Sequence, residues 1–102
     1  MVRTPETYGQ ALEAVLQEMR QVLLSKRQDY GPGNIPVFGE RGVLVRASDK
    51  MARLKNLLWD NPDESPRHET LDDSWIDLAN YAVLALLARR GWIELPDGEG
   101  GA

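Results

Sequence analysis

The chain has 102 residues, of which 42% are hydrophobic and 27% charged, with a formal net charge of −4 and no cysteine. A length of this order supports one domain with a single modest core. The negative balance argues against general affinity for nucleic-acid backbone or an anionic membrane, and the absence of cysteine excludes disulfides and thiolate metal sites.

No basic-then-apolar signal opens the sequence. Its longest apolar run, Leu78 to Ala88, is interrupted by Asn80 and is too short to span a bilayer. The expectation is a cytoplasmic protein with no membrane partner, folded as a single helical domain over residues 1–102.

Helix 1 is expected over about residues 5–28. Thr4 suits the N-cap, Pro5 the first helical position, and Glu6 the positive end of the helix dipole. Leu12, Val15, Leu16, Met19, Val22 and Leu23 recur at helical spacing, while Glu13, Gln17 and Arg20 point away. Lys26 and Tyr30 continue the apolar stripe, which directs both toward the interior or its rim, where a lysine snorkels and a tyrosine uses its hydroxyl.

Residues 30 to 42 contain four glycines and two prolines, yet also Ile35, Val37 and Phe38. That mixture predicts an ordered loop packed onto the helices. Helix 2 follows over about 43–59, with Val43, Ala47, Met51, Leu54 and Leu58 as its core stripe. Arg46, Asp49, Lys50, Arg53 and Asn56 form a polar stripe beside it. Arg46, Lys50 and Arg53 project side by side and suit phosphate oxygens; the competing reading is a solvated face with Asp49 and Arg53 as an i, i+4 pair. A polar segment through His68 leads to helix 3, and one histidine without cysteine does not make a zinc site.

Helix 3 is expected over about 71–90, with Thr70 as its N-cap and Gly91 as its stop. From Trp75 to Ala88 its only strongly polar side chains are Asp77 and Asn80. Asp73, Asp77, Asn80 and Tyr81 fall on one stripe at about 100° per residue. A carboxylate on an otherwise apolar helix must be paired, metal-bound or perturbed in pKa. Asp73 and Asp77 at i and i+4 can share Mg²⁺; alternatively, Asp73 serves the helix dipole and Asp77 pairs with a base of helix 2. Trp92, Ile93 and Leu95 are read as tucking back onto the bundle, and residues 96–102 as a flexible tail.

The fold class is therefore all-α, a compact bundle of three main helices. Two helices cannot easily cover a third that is apolar all round, so helix 3 is expected at or near the interface of a homo-oligomer, a dimer or a dimer of dimers.

Three ordered blocks, Lys26-Arg27-Gln28-Asp29-Tyr30-Gly31, Lys50-Met51-Ala52-Arg53-Leu54 and Asp73-Ser74-Trp75-Ile76-Asp77-Leu78-Ala79-Asn80-Tyr81, resemble a known family. It is the phage and bacterial nucleotide modification associated domain. The likeness spans about residues 20 to 88. More distantly, the layout is similar to the all-α nucleoside triphosphate pyrophosphohydrolases of the MazG and dimeric dUTPase type, which use Mg²⁺ held by acidic residues on two helices. Asp77 stands at the place of their final Asp, Ser74 at that of a preceding Glu, and helix 2 offers only Asp49 as a carboxylate.

The resemblance implies a nucleotide-handling protein, with a nucleotide or deoxynucleotide as partner, working in the bacterial host cytoplasm if phage-encoded. In the hydrolase reading, Asp73 and Asp77 are catalytic and, with Asp49, hold Mg²⁺. Lys26, Asp29, Tyr30, Arg46, Lys50, Arg53, Asn80 and Tyr81 then line the substrate site. In a second reading the basic residues replace the metal and the protein binds a nucleotide without cleaving it. In a third, the polar stripes are an ion-pair network that fixes helix packing in a structural or partner-binding oligomer.

Overall fold

The structure, a computed structural model, describes residues 4–30, 34–66 and 69–98. It is all-helical: α1 (Tyr8–Tyr30), α2 (Asn34–Lys55), a π-helical turn (Asn56–Asp60) and α3 (Leu71–Arg89). No helix among the described residues is long and apolar enough to cross a membrane. α2 and α3 form the principal packed pair, and α1 lies against α3.

Each helix end has a local cause. α3 begins with a reciprocal capping box: Thr70 Oγ1 accepts from the Asp73 amide at 3.0 Å, and Asp73 Oδ2 accepts from the Thr70 amide at 3.1 Å. It ends in a Schellman motif at Gly91, whose φ is 71°. The Trp92 amide donates to the Leu87 carbonyl at 2.9 Å and the Gly91 amide to that of Ala88 at 3.2 Å.

α1 starts at Tyr8, three residues later than expected, and its cap is Thr7 instead of Thr4. Thr7 Oγ1 accepts from the Gln10 amide at 3.1 Å, and Gln10 Oε1 reaches back to the Glu6 amide at 2.8 Å. The Thr7-x-x-Gln10 spacing outcompetes Thr4-Pro5 because it satisfies two free amides at once.

The expected loop over 30–42 is mostly helix. α2 begins at Asn34 and is broken at Gly39, where φ is 60° and ψ −155°. Phe38 is exposed instead of packed on the helices, leaning over Gly42, where any side chain would collide with it. The side chains of Ile35 and Val37, like His68, lie outside the described residues.

Among the described residues, the buried hydrophobic side chains are Val43, Leu54, Leu57 and Ile93. Met51 and Leu58, expected inside, are exposed. The π-helical turn explains the second: its wider i→i+5 bonding, seen in the Asn61 amide donating to the Asn56 carbonyl at 2.7 Å, rotates Leu57 inward and Leu58 outward. The segment after α3 does fold back. Arg27 donates to the carbonyls of Ile93 at 2.8 Å and Leu95 at 2.7 Å, and its Nε pairs with Asp97 at 2.7 Å. Trp92 and Leu95 nonetheless stay half-exposed.

α3 is inside out. Its buried residues are Ser74, Asp77 and Asn80, while Trp75, Val83 and Leu86 face outward. The polar stripe points into the bundle, while the apolar side chains range from part-buried (Ile76, Leu78, Leu84, Leu87) to exposed (Trp75, Val83, Leu86).

At Gly39 a Cβ would meet nothing, so only the backbone geometry resists substitution. Gly39→Ala is expected to lower unfolding free energy by about 1–3 kcal/mol, the usual cost of a side chain in that glycine-favoured region. Urea denaturation checks this.

Candidate functional site

The buried stripe of α3 meets cations from both other helices. Asp77 is 6% exposed; its Oδ1 accepts from Lys26 Nζ of α1 at 2.6 Å, and its Oδ2 lies 3.0 Å from Lys50 Nζ of α2. Lys50 also donates to both oxygens of Glu69, at 2.8 and 3.1 Å. Arg53, three residues along α2, places Nε 3.1 Å from Glu69 Oε1 and donates to Ser74 Oγ at 3.0 Å. Its other arm donates to the Glu69 backbone carbonyl. Ser74, fully buried, completes the ring by donating to Glu69 Oε1 at 3.2 Å.

Lys26, Lys50, Arg53, Glu69, Ser74 and Asp77 thus form one continuous network joining all three helices. The i, i+3 spacings Lys50–Arg53 and Ser74–Asp77 put each pair on one helical face, so two facing stripes interlock. Asn80 extends the same stripe, donating from Nδ2 to the Met19 carbonyl at 3.0 Å and stitching α3 to the middle of α1.

Burial alone would raise the Asp77 carboxyl pKa, but hydrogen bonds and charges from Lys26 and Lys50 outweigh it and hold the group below its ordinary value. Burial likewise pulls the Lys50 ammonium down, and the Glu69 and Asp77 carboxylates outweigh it, holding the pKa above its ordinary value. Both groups are charged near neutrality.

The other expected site residues are placed differently. Asp73 spends its carboxylate on the α3 capping box. Asp49 and Asp29 are exposed and make no ion pair among the described residues. Arg46 sits one turn before Lys50, part-buried and likewise without a carboxylate partner among the described residues. Tyr81 lines an apolar groove between α2 and α3 instead of joining the network. Tyr30 closes α1, its side chain lying outside the described residues.

Two members were missing from the sequence-based site, Glu69 and Ser74. The signal was available. A helix 2 face bearing Arg46, Lys50 and Arg53 needs carboxylates to be partly buried, and Glu69 directly precedes the Thr70 cap. Ser74 stands at a helical spacing of three from Asp77, on the same face of α3.

Mg²⁺ requires oxygen donors around a vacant centre, usually one or two carboxylates with waters and substrate phosphates. Among the described residues, no three acidic or histidine side chains converge. The two carboxylates that do converge, Glu69 and Asp77, meet on the Lys50 ammonium. As arranged, the donor set fits a lysine and does not fit Mg²⁺.

The network sets an order of stability effects. Lys50→Met removes the shared partner of two carboxylates and is expected to cost about 3 kcal/mol. Lys26→Met removes a side chain that is 49% exposed and should cost no more than about 1 kcal/mol. Chemical denaturation of the two variants checks the order.

A pH dependence follows with a definite sign. The folded Asp77 pKa lies below the unfolded value of about 3.9, so its contribution is complete above that value and disappears as pH falls through the folded one. The folded Lys50 pKa lies above the unfolded value of about 10.4, so its contribution is complete below that value and is lost as pH rises through the folded one. Asp77→Asn should flatten the acid limb of the Tm-against-pH curve. An unchanged limb would show that Asp77 is not the titrating anchor.

Comparison of the chain with family models, curated proteins and solved structures finds no match. The likeness to the nucleotide modification associated domain accordingly rests on its three sequence blocks.

Proposed function

We propose that this chain is a nucleotide-binding protein that holds phosphate through the cations gathered around Asp77, without a metal ion. The observation that carries the reading is the charge balance of the network. Three cations, Lys26, Lys50 and Arg53, face two carboxylates, Glu69 and Asp77, leaving one positive charge in a partly buried site. Arg46, on the same helix one turn away, adds a cation with no carboxylate partner among the described residues. A protein whose overall charge is −4 concentrates positive charge here.

The roles divide by exposure. Lys50 and Arg53 are clamped by Glu69, Ser74 and Asp77, which pre-orient their donors and lower the ordering cost of binding. Lys26 is the half-exposed member and can turn its ammonium from Asp77 Oδ1 toward an arriving phosphate oxygen. Lysine suits this as a mobile point charge, and Arg46 offers the planar fork that matches phosphate. The three sequence blocks that resemble the nucleotide modification associated domain contribute Lys26, Lys50, Arg53 and Asp77 to this network, which favours a nucleotide over an arbitrary anion.

The partners in this reading are a deoxynucleotide or nucleotide at the cations and a second copy of the chain elsewhere on its surface. The cytoplasm is the compartment where both are met. Metal-dependent pyrophosphate release, the alternative reading, would need Lys50 to leave the point between Glu69 and Asp77.

Isothermal titration with a panel of ribo- and deoxynucleoside mono- and triphosphates tests the reading, with Mg²⁺ and again with chelator. Saturable binding that persists in chelator, weakens with salt, and falls about tenfold in Lys26→Met is expected. Folded protein that binds no member of the panel would overturn the reading. Binding and pyrophosphate release that both require Mg²⁺ would replace it with the hydrolase.

A further inference from the structure

Arg27 stands next to Lys26 near the end of α1 and grips the segment that follows α3. Its Nη1 donates to the Ile93 carbonyl at 2.8 Å, its Nη2 to the Leu95 carbonyl at 2.7 Å, and its Nε pairs with Asp97 at 2.7 Å. We propose that Arg27 is a positioning residue of the cation site. Its grip holds the last turns of α1 so that Lys26 stays beside Asp77, within reach of an arriving phosphate. The inference deepens the nucleotide-binding reading and rests on it for the phosphate alone.

Helical geometry makes these two neighbours independent anchors. Lys26 and Arg27 leave α1 about 100° apart, the first toward Asp77 and the second toward residues 93–97. Lys26 is too weak an anchor to place itself. Its side chain is 49% exposed, and an exposed ion pair barely offsets the ordering of a long side chain. The next tie, Asn80 to the Met19 carbonyl, lies about two turns back along α1. The part-buried Val22, Leu23 and Leu24 set how far α1 stands from the bundle, but apolar contact is non-directional and does not fix its rotation. Arg27 supplies the second fixed point, at the end that carries Lys26.

The gripped segment is itself anchored. Ile93 is buried, and the Schellman turn at Gly91 fixes where the segment leaves α3. Two arms of one planar guanidinium hold the Ile93 and Leu95 carbonyls, a geometry that a lysine ammonium does not copy. Asp97, mostly exposed, adds the weakest of the three contacts. The donors of Arg27 are thus spent on the segment after α3, and its effect on phosphate passes through Lys26.

Lysine acylation reads the position of Lys26 with no nucleotide present, because an ion-paired ammonium must break its contact before the free amine reacts. The chain has three lysines, Lys26, Lys50 and Lys55, so the other two serve as internal references. In Arg27→Gln, brief labelling with acetic anhydride, read by peptide mass spectrometry, should show Lys26 reacting about threefold faster, with Lys50 and Lys55 unchanged. An unchanged Lys26 would overturn the proposal. So would a rise at all three lysines, which would make Arg27 a support of the whole fold. If Arg27→Gln does not fold, Arg27→Lys decides: it keeps the charge, reaches one carbonyl at a time, and should give the same selective rise at Lys26. Nucleotide titration then separates the two readings. Arg27→Gln should weaken binding about threefold in the parent chain and leave it unchanged in a Lys26→Met background. Equal weakening in both backgrounds would mean that Arg27 touches the nucleotide itself, and would overturn the positioning role. If no nucleotide binds, the phosphate reading falls, while the labelling still decides whether Arg27 places Lys26.

Discussion

One buried carboxylate, Asp77, holds two ammonium groups from two different helices, and the rest of the molecule is arranged around that contact. Lys26 and Lys50 reach it from α1 and α2. α2 forms the principal packed pair with α3, whereas α1 contributes no buried hydrophobic side chain among the described residues. Among the described residues of the helical elements, the buried hydrophobic side chains are Val43, Leu54 and Leu57, and all three lie on α2 or in the turn that follows it. Beside the part-buried Met19, Val22, Leu23 and Leu24, α1 has polar ties: Lys26 to Asp77, the Met19 carbonyl to Asn80, and Arg27 to the segment after α3. Polar contacts of this kind demand good geometry. They contribute specificity of docking more than net stability, because desolvation offsets much of their Coulomb attraction.

This constraint turns α3 over. A helix with three polar residues at i, i+3 and i+6 ordinarily shows them to water. Here Lys26, Lys50 and Arg53 make the interior the better solvent for Ser74 and Asp77, with Trp75, Val83 and Leu86 left outside. The cation cluster and the uncovered apolar surface therefore have one cause. A helix that turns polar side chains inward leaves that much less of its apolar surface for the core.

Much of the fold could be read from sequence because helix ends are local. Thr70 with Asp73, and Gly91 after Arg89 and Arg90, act within a few residues, and both ends of α3 lie near the expected positions. The start of α1 was misplaced by a contest between two local signals, Thr4-Pro5 and Thr7-x-x-Gln10. The glycines and prolines of residues 31–42 suggested a loop, but only Gly39 among the described ones carries a backbone that breaks the helix.

Within the site, sequence singled out Lys26, Lys50, Arg53 and Asp77, because unusual polarity on apolar stripes is visible in one dimension. It did not show which carboxylate each cation would meet. Glu69 lies outside any helix stripe, and its contact with Lys50 depends on how the segment before α3 crosses α2. Asp73 shares a helical face with Asp77, yet the cap takes its carboxylate. Facing requires the third dimension.

Asp77 couples α1 and α2 through α3. A double-mutant cycle between Lys50→Met and Asp77→Asn, read by urea denaturation, measures that coupling most directly. The two changes should be non-additive by about 1–3 kcal/mol, with the double variant more stable than the sum of the single losses allows. Additive losses would mean that the two side chains do not share a buried contact, and would contradict the account.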